Sequence, residues 1–364
     1  MLVMIFIKSV IVEFTALGST QMQFRKKSIF ATCLIVMVGL AGASVATASE
    51  GTLQKTHTVS TGSLNTPDGV KLAWQRTTPQ DPQYNLVFLP GYSESFLLYE
   101  ELTRSLADRG FTVWMIDFRG MGLSGRLTDH AGIVHIDDVQ TYVNDMQQFI
   151  RETIAPHVSP TKPLVLLAHS TGSLVALMLL QDKGTSQNVM RAVLSTPLLQ
   201  LHTGLVPGIV VGWSASLVSM FGGSKLPVGS STIPDIESMT FLNNRTTHDP
   251  EQHAAKIAVL KSHPEIRIAT PSVGWIAAVY SAGRKALSAA QDIEIPMLTF
   301  TAGEDWFVEN APIMKFCRRA PKCVSKNFPT ARHEIMRELP EIRRQWLEES
   351  TAFLKERPSS QTSP

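Results

Sequence analysis

A serine hydroxyl is a competent nucleophile at neutral pH only beside a base that is itself held by an acid. Ala168-His169-Ser170-Thr171-Gly172 follows the apolar run Leu164 to Leu167 and precedes the helical spacing of Ser173 to Leu180. A strand that turns abruptly into a helix projects one side chain from its apex. It tolerates only small residues on either side, because the two backbones crowd there. Ala168 and Gly172 meet that need, so Ser170 is the candidate nucleophile; the competing reading is a serine that merely caps a helix. His333, in Ala331-Arg332-His333-Glu334 after the last strand-like run, is the candidate base. Asp305 and its neighbour Glu304, directly after the preceding strand-like run, are the candidate acids. Glu334 reads as loop support or as the start of the final helix. The chain order nucleophile, acid, base, each in a loop after a strand, suits acyl transfer.

Acyl transfer also needs backbone N–H groups aimed at a developing oxyanion. Thr171 supplies one candidate, at the helix start. Tyr92 supplies the other, in Pro90-Gly91-Tyr92-Ser93-Glu94-Ser95, where Gly91 permits the turn. Taken alone, Gly91 is equally readable as a plain turn glycine, and Glu94 as either a prop for this loop or a solvated side chain.

The elements that must position these residues follow from hydrophobic periodicity. Strand-like runs lie near Thr56 to Val59, Val70 to Gln75, Asn85 to Leu89, Thr112 to Ile116, Leu164 to Leu167, Ala192 to Leu194, Pro296 to Thr301 and Val324 to Phe328. Helical spacing covers Phe96 to Arg109, Val139 to Ile154, Ser173 to Leu180, Glu309 to Arg318 and Glu338 to Glu356. Fully apolar strands alternating with amphipathic helices predict an α/β fold, a parallel sheet covered on both faces. Residues 49–198 and 294–357 would form that core. The stretch 199–293 differs in texture: Gly204 to Gly223 is apolar and interrupted by glycines. It is too broken for a membrane span, and a buried core helix would not need so many glycines, so a mobile cap over the site is expected. Residues 358–364 read as a disordered tail.

The 33 basic residues against 31 acidic ones argue against a general nucleic-acid-binding surface. Residues 1–48 read as an address. Arg25, Lys26 and Lys27 precede an apolar run, and Ala46-Thr47-Ala48 is a cleavage signature before Ser49. An uncleaved membrane anchor is the alternative. Met22 is a plausible true start, which would make 1–21 an extension. The protein is therefore expected to be exported, periplasmic or secreted. Cleavage removes Lys8, Arg25, Lys26, Lys27 and Glu13 and turns the net charge of +2 into about −1. Peripheral membrane contact would then rest on apolar cap surface rather than on a basic face. Of three cysteines only Cys317 and Cys323 survive, a pair closing a short loop, expected to be bonded in an oxidising compartment. Two buried thiols are the bland alternative. A metal site is not expected there, because two sulfurs without a nearby histidine leave coordination incomplete.

Together the sheet pattern, Ala168-His169-Ser170-Thr171-Gly172 and the Asp305 and His333 loops resemble the α/β-hydrolase fold, in its lysophospholipase and monoacylglycerol lipase branch. Pro90 to Ser95 sits where that branch has its oxyanion loop. Asp117-Phe118-Arg119-Gly120-Met121-Gly122-Leu123-Ser124-Gly125 resembles its Asp-x-Arg-Gly-x-Gly-x-Ser segment, a structural loop, and Arg332-His333-Glu334 its His-Glu ending. Pro90 departs from the pattern, where many relatives carry His, as does Ser173, where a second Gly is common. The resemblance covers about Gly69 to Leu354. It favours Asp305 over Glu304, and implies a cofactor-free esterase of monoacyl lipids acting through an acyl-serine. Small-ester esterases and peptidases share the frame, and a non-catalytic lipid- or partner-binding member is the rival from another class.

Other residues carry weaker chemistry. His248-Asp249-Pro250-Glu251-Gln252-His253 could be read as metal-binding, but Asp249, Pro250 and Gln252 fit a helix cap better. Trp213, Trp275 and Tyr280 are candidates for an acyl channel and equally for core. Gly120-Met121-Gly122 lacks the third glycine and the helix start of a nucleotide fingerprint.

Overall fold

The computed structural model describes residues 57–158 and 162–356. The segment 1–48 and the tail from Pro358 lie outside the described residues. In chain order the elements are β1 (His57–Asn65), β2 (Lys71–Pro79), β3 (Tyr84–Leu89), α1 (Glu100–Ala107), β4 (Phe111–Ile116), β5 (Ile133–Val134), α2 (Gln140–Gln148), β6 (Leu164–His169), α3 (Thr171–Gln181), the short α4 (Lys183–Ser186), β7 (Val189–Ser195), α5 (Gly208–Val218), α6 (Pro250–Ser262), β8 (Thr270–Pro271), α7 (Val273–Ser288), β9 (Met297–Ala302), α8 (Asn310–Arg319), β10 (Cys323–Phe328) and α9 (Pro340–Lys355). Eight strands make one sheet in the order β1-β2-β4-β3-β6-β7-β9-β10. β1, β2 and β4 pair antiparallel, and every neighbouring pair from β4 onward is parallel. Residues β5 and β8 form a two-residue ladder apart from this sheet.

Strand side chains alternate between the two faces. Val87, Leu89, Leu166, Ala168 and Leu194 point into one core with α2, α3, α7 and α8. Leu86, Phe88, Val165, Leu167 and Val193 point into the other, with Leu106 of α1 and Trp346 and Leu354 of α9. Burial on both faces is why these strands read as unbroken apolar runs. α3 is buried from Thr171 to Leu180, which accounts for its lack of a polar stripe.

Several boundaries differ from those expected. The helix expected over Phe96 to Arg109 begins as a tight turn, Phe96–Tyr99, capped by Ser95 before α1. The one expected over Val139 to Ile154 is regular only through α2, then widens over Phe149–Ile154 ahead of Pro156, which has no N–H to continue the ladder. The expected insertion 199–293 is not uniformly peripheral: α7 is largely buried in the core that contains α3. The glycines of α5 serve packing. A Cβ on Gly208 or Gly212 would come to 3.0 Å from Tyr280 of α7, so glycine lets the two helices approach closely. The outer side of α5 is exposed, Trp213 at 71%. Cys317 and Cys323 are joined by a disulfide between the end of α8 and β10.

One close approach ties the sheet to the candidate nucleophile. A Cβ on Gly172 would lie 2.2 Å from the carbonyl oxygen of Leu89 and 2.5 Å from that of Pro90. These are backbone atoms at the end of β3 and cannot yield as a flexible side chain would. Gly172→Ala is therefore expected to cost about 2 kcal/mol or more of stability and to displace both the Ser170 turn and the Pro90–Ser95 loop. Urea unfolding measures it; a variant with an unchanged midpoint and unchanged activity would contradict this packing.

Candidate active site

β6 ends at His169 and α3 begins at Thr171, so the whole reversal falls on Ser170, with φ 51° and ψ −117°. That conformation is rare for a residue with a side chain and is sustained only by surrounding bonds. Here Ser170 N donates to Ser195 O at 3.0 Å, and Leu198 N donates to Ser170 O at 3.1 Å. The Ser170 hydroxyl makes no capping bond to α3. It faces His333 Nε2 at 2.9 Å, which removes the helix-cap reading.

His333, in the loop after β10, has its Nδ1 2.7 Å from Asp305 Oδ2. The Asp305 carboxylate follows β9 and is oriented by Phe307 N and Val308 N, which donate to its Oδ1 at 2.8 and 3.0 Å. A carboxylate only accepts, so Nδ1 carries the proton and Nε2 is free to accept from the serine. Glu304, the other candidate acid, turns away to His248 at 3.2 Å. Burial opposes charge on His333, but the Asp305 carboxylate outweighs it, with help from Glu334 and Glu94, and raises the imidazole pKa. Burial likewise works against the Asp305 carboxylate, yet His333 and the two backbone N–H groups hold its pKa below the usual value. His169 is different. Burial pushes its pKa down to about 4, so it is neutral, with its ring 4.8 Å from that of His333.

The Pro90–Ser95 loop is held on both sides of Tyr92. Gly91 N donates to the Glu94 carboxylate, and Ser93 N contacts Met121 Sδ at 3.1 Å. Glu94 is buried, not solvated. A Cβ on Gly91 would meet that carboxylate at 2.8 Å and the His169 ring at 3.0 Å, so Gly91 answers to crowding as well as to turn geometry. The loop's far end is fixed by Asp117, which accepts from Ser95 Oγ, Phe96 N and Leu123 N, each at 2.8 Å. Tyr92 and Thr171 both line the cavity that opens over Ser170.

Beneath these loops lies a charge network that the sequence did not signal. Glu334 is paired with Lys256 of α6 at 2.5 Å and lies 3.3 Å from Arg337. Arg337 donates to Leu98 O and stacks over Tyr99 at 4.7 Å. Lys256 carries no motif, and only the fold brings it to Glu334, whereas Arg337 follows Glu334 by three residues. The cap reading of Asp249 agrees with its bonds to Glu251 N and Gln252 N at 2.8 and 3.1 Å.

The cavity over Ser170 is about 590 Å³ and is walled by Leu198, Val206, Val210, Val211, Trp275 and Ile276, among others. That size is typical of a small-molecule site. Trp275 thus lines it. Tyr280 packs beneath α5, and Trp213 faces outward. Geometrically, the site joins a serine hydroxyl, an imidazole with its acceptor nitrogen toward that hydroxyl, and a carboxylate behind it, at the floor of an apolar chamber.

Comparison with known proteins agrees with this architecture. The chain is 26% identical to lysophospholipase L2 of Escherichia coli (strain K12) over 251 residues, 69% of this chain and 72% of that protein. It is 26% identical to a monoacylglycerol lipase of Mycolicibacterium smegmatis over 273 residues, 74% of this chain and 88% of that one. A soluble variant of Saccharomyces cerevisiae monoglyceride lipase, solved with a substrate analog, superposes with a TM-score of 0.65 at 19% identity, covering 81% of this chain and 94% of its own. A thermostable carboxyl esterase from Bacillus coagulans gives 0.63 at 16% identity, over 81% and 97% of the two chains; at such identities the likeness is one of fold. The family model described as serine aminopeptidase, S33 matches residues 80–340. The chain belongs to that family, in the branch of the α/β-hydrolases that holds lysophospholipases and monoacylglycerol lipases.

Proposed function

We propose that this chain is an exported serine hydrolase that cleaves carboxylic esters of monoacyl lipids, lysophospholipid or monoacylglycerol. The observation that carries the reading is the pair of hydrogen bonds at His333, 2.9 Å to Ser170 Oγ and 2.7 Å to Asp305. Ser170 Oγ attacks the ester carbonyl while His333 Nε2 takes its proton. The oxyanion accepts hydrogen bonds from the backbone N–H groups of Tyr92 and Thr171. Collapse expels the alcohol, which takes the proton back from His333 and leaves an acyl-Ser170. Water, deprotonated in turn by His333, releases the fatty acid. The apolar chamber would shelter the single acyl chain.

The named relatives support the substrate class, and the Cys317–Cys323 bond supports an oxidising compartment. Among the described residues no helix is long and apolar enough to cross a membrane. Contact with lipid would come from the outer side of α5 and its flanks, where Leu205, Trp213, Met220 and Phe221 are exposed while Val210 and Val211 of the same helix line the chamber. A second reading is cleavage of small esters or aminoacyl amides, of which the description of the matched family favours the amides.

Ser170→Ala is expected to keep the circular dichroism spectrum and lose ester hydrolysis. A panel of lysophosphatidylcholine, monoacylglycerol, short p-nitrophenyl esters and aminoacyl amides should show preference for the monoacyl lipids. Preference for the amides or the short esters would move the assignment to the second reading, and full activity in the variant would end it. Since neutral His333 is the base and its pKa is raised, kcat/KM should fall on the acid side with an apparent pKa above the ordinary imidazole value of about 6.5. Asp305→Asn should lower kcat by about 10⁴ and move that limb to lower pH; near-normal turnover would exclude Asp305 as the acid. Trp213→Ser with Phe221→Ser should reduce co-flotation with phosphatidylcholine vesicles by about tenfold while leaving hydrolysis of a soluble short ester intact. Unchanged flotation would exclude this face.

A further inference from the structure

A second cavity, of about 690 Å³, lies between the Phe96–Tyr99 turn with α1, the helix α6 and the start of α9. It is separate from the chamber over Ser170 and shares one wall residue with it, Lys256. Its lining has two chemistries. Leu97, Leu102, Val259, Met336 and Leu347 supply apolar surface, and Arg104, Lys256, Arg337, Arg343 and Arg344 supply positive charge against Glu100 and Glu101. Three of the five cations are engaged elsewhere: Arg104 with Glu100 at 2.6 Å, and Lys256 and Arg337 with Glu334. Arg343 is held only by long ion pairs, its Nη1 at 3.6 Å from Asp249 and its Nη2 at 3.9 Å from Glu101, and the buried Nη1 makes no hydrogen bond. Trp346 is fully buried, and its indole N–H likewise has no acceptor. Arg344 is exposed beside them. These three donors sit in the first two turns of α9, whose N-terminus adds its own partial positive charge.

Buried donors without acceptors are costly, and donors grouped at one end of a cavity fit an anion. The leucine-rich remainder fits a hydrocarbon tail. We propose that this cavity is a binding site for a single-chain amphiphile with an anionic head, a long-chain carboxylate. The head accepts from the Arg343 guanidinium and the Trp346 indole, with Arg344 adding charge, and the tail lies along Leu97, Leu102 and Val259. The site stands on its own lining and does not depend on Ser170 being catalytic. If the ester hydrolysis proposed above also holds, its own fatty-acid product has the chemistry this cavity accepts.

Photolabelling of the full chain tests it. The probes are a diazirine analogue of dodecanoate and the matching analogue of dodecanol, with labelled peptides identified by mass spectrometry. Dodecanoate should mark peptides from residues 97–105, 252–259 and 336–347, distinct from those of the Ser170 chamber, and the dodecanol probe should mark them at least about tenfold less. The double variant Arg343→Gln, Arg344→Gln should lose that labelling by a similar factor while keeping its unfolding midpoint. Ser105→Trp, which fills the cavity from α1, should lose it as well. Labelling confined to residues 198–215 and 269–276, equal labelling by the neutral probe, or labelling indifferent to all these substitutions would overturn the proposal. Each outcome is read without any hydrolytic assay, so failure here is distinguishable from failure of the ester hydrolase reading.

Discussion

The structure depends on a single crowded junction. The turn from β6 into α3 lies against the end of β3, close enough that only hydrogen fits at residue 172. Because β3 leads directly into the Pro90–Ser95 loop, this contact sets the distance between Ser170 and the backbone expected to receive the oxyanion. The rare backbone conformation of Ser170 is sustained by the same packing. A strained turn persists where its surroundings over-determine it, and here β3, β7 and α3 all contribute.

Electrostatics complete what packing begins. Two buried imidazoles lie side by side and are tuned in opposite directions. His169 is kept neutral by burial, whereas His333 gains a proton affinity above the ordinary from Asp305. The carboxylates closest to this pair are countered in turn: Asp305 by backbone N–H groups, Glu334 by Lys256 and Arg337, and Glu94 by Gly91 N. Lys256 comes from α6, within the stretch expected to form a cap, so part of that segment contributes charge to the lining of the site.

Much of this was legible from residue types alone, for a physical reason. A nucleophile turn needs small neighbours at fixed offsets, and strands buried on both faces must be apolar throughout, so both features leave local marks. The choice between Asp305 and Glu304 left no such mark. It depends on which carboxyl points inward from one loop; the family resemblance favoured Asp305, and the coordinates place Asp305 at His333 and Glu304 at His248. The packing role of the glycines in α5 was hidden for a related reason. In sequence Gly208 and Gly212 are breaks in an apolar run; in three dimensions they admit close packing against Tyr280. Lys256 was invisible because a buried ion pair between residues far apart in sequence has no spacing to recognise, and nothing local marks Arg337, three residues from Glu334, as buried beside it.

In the proposed reaction Ser170 carries the acyl group between two half-reactions. Rapid-quench mass spectrometry of the protein mixed with a monoacylglycerol measures this directly. A transient adduct of one acyl group is expected on the peptide containing Ser170, forming before free fatty acid reaches its steady rate. Steady release of fatty acid with no adduct at any mixing time, or an adduct on another residue, would contradict it.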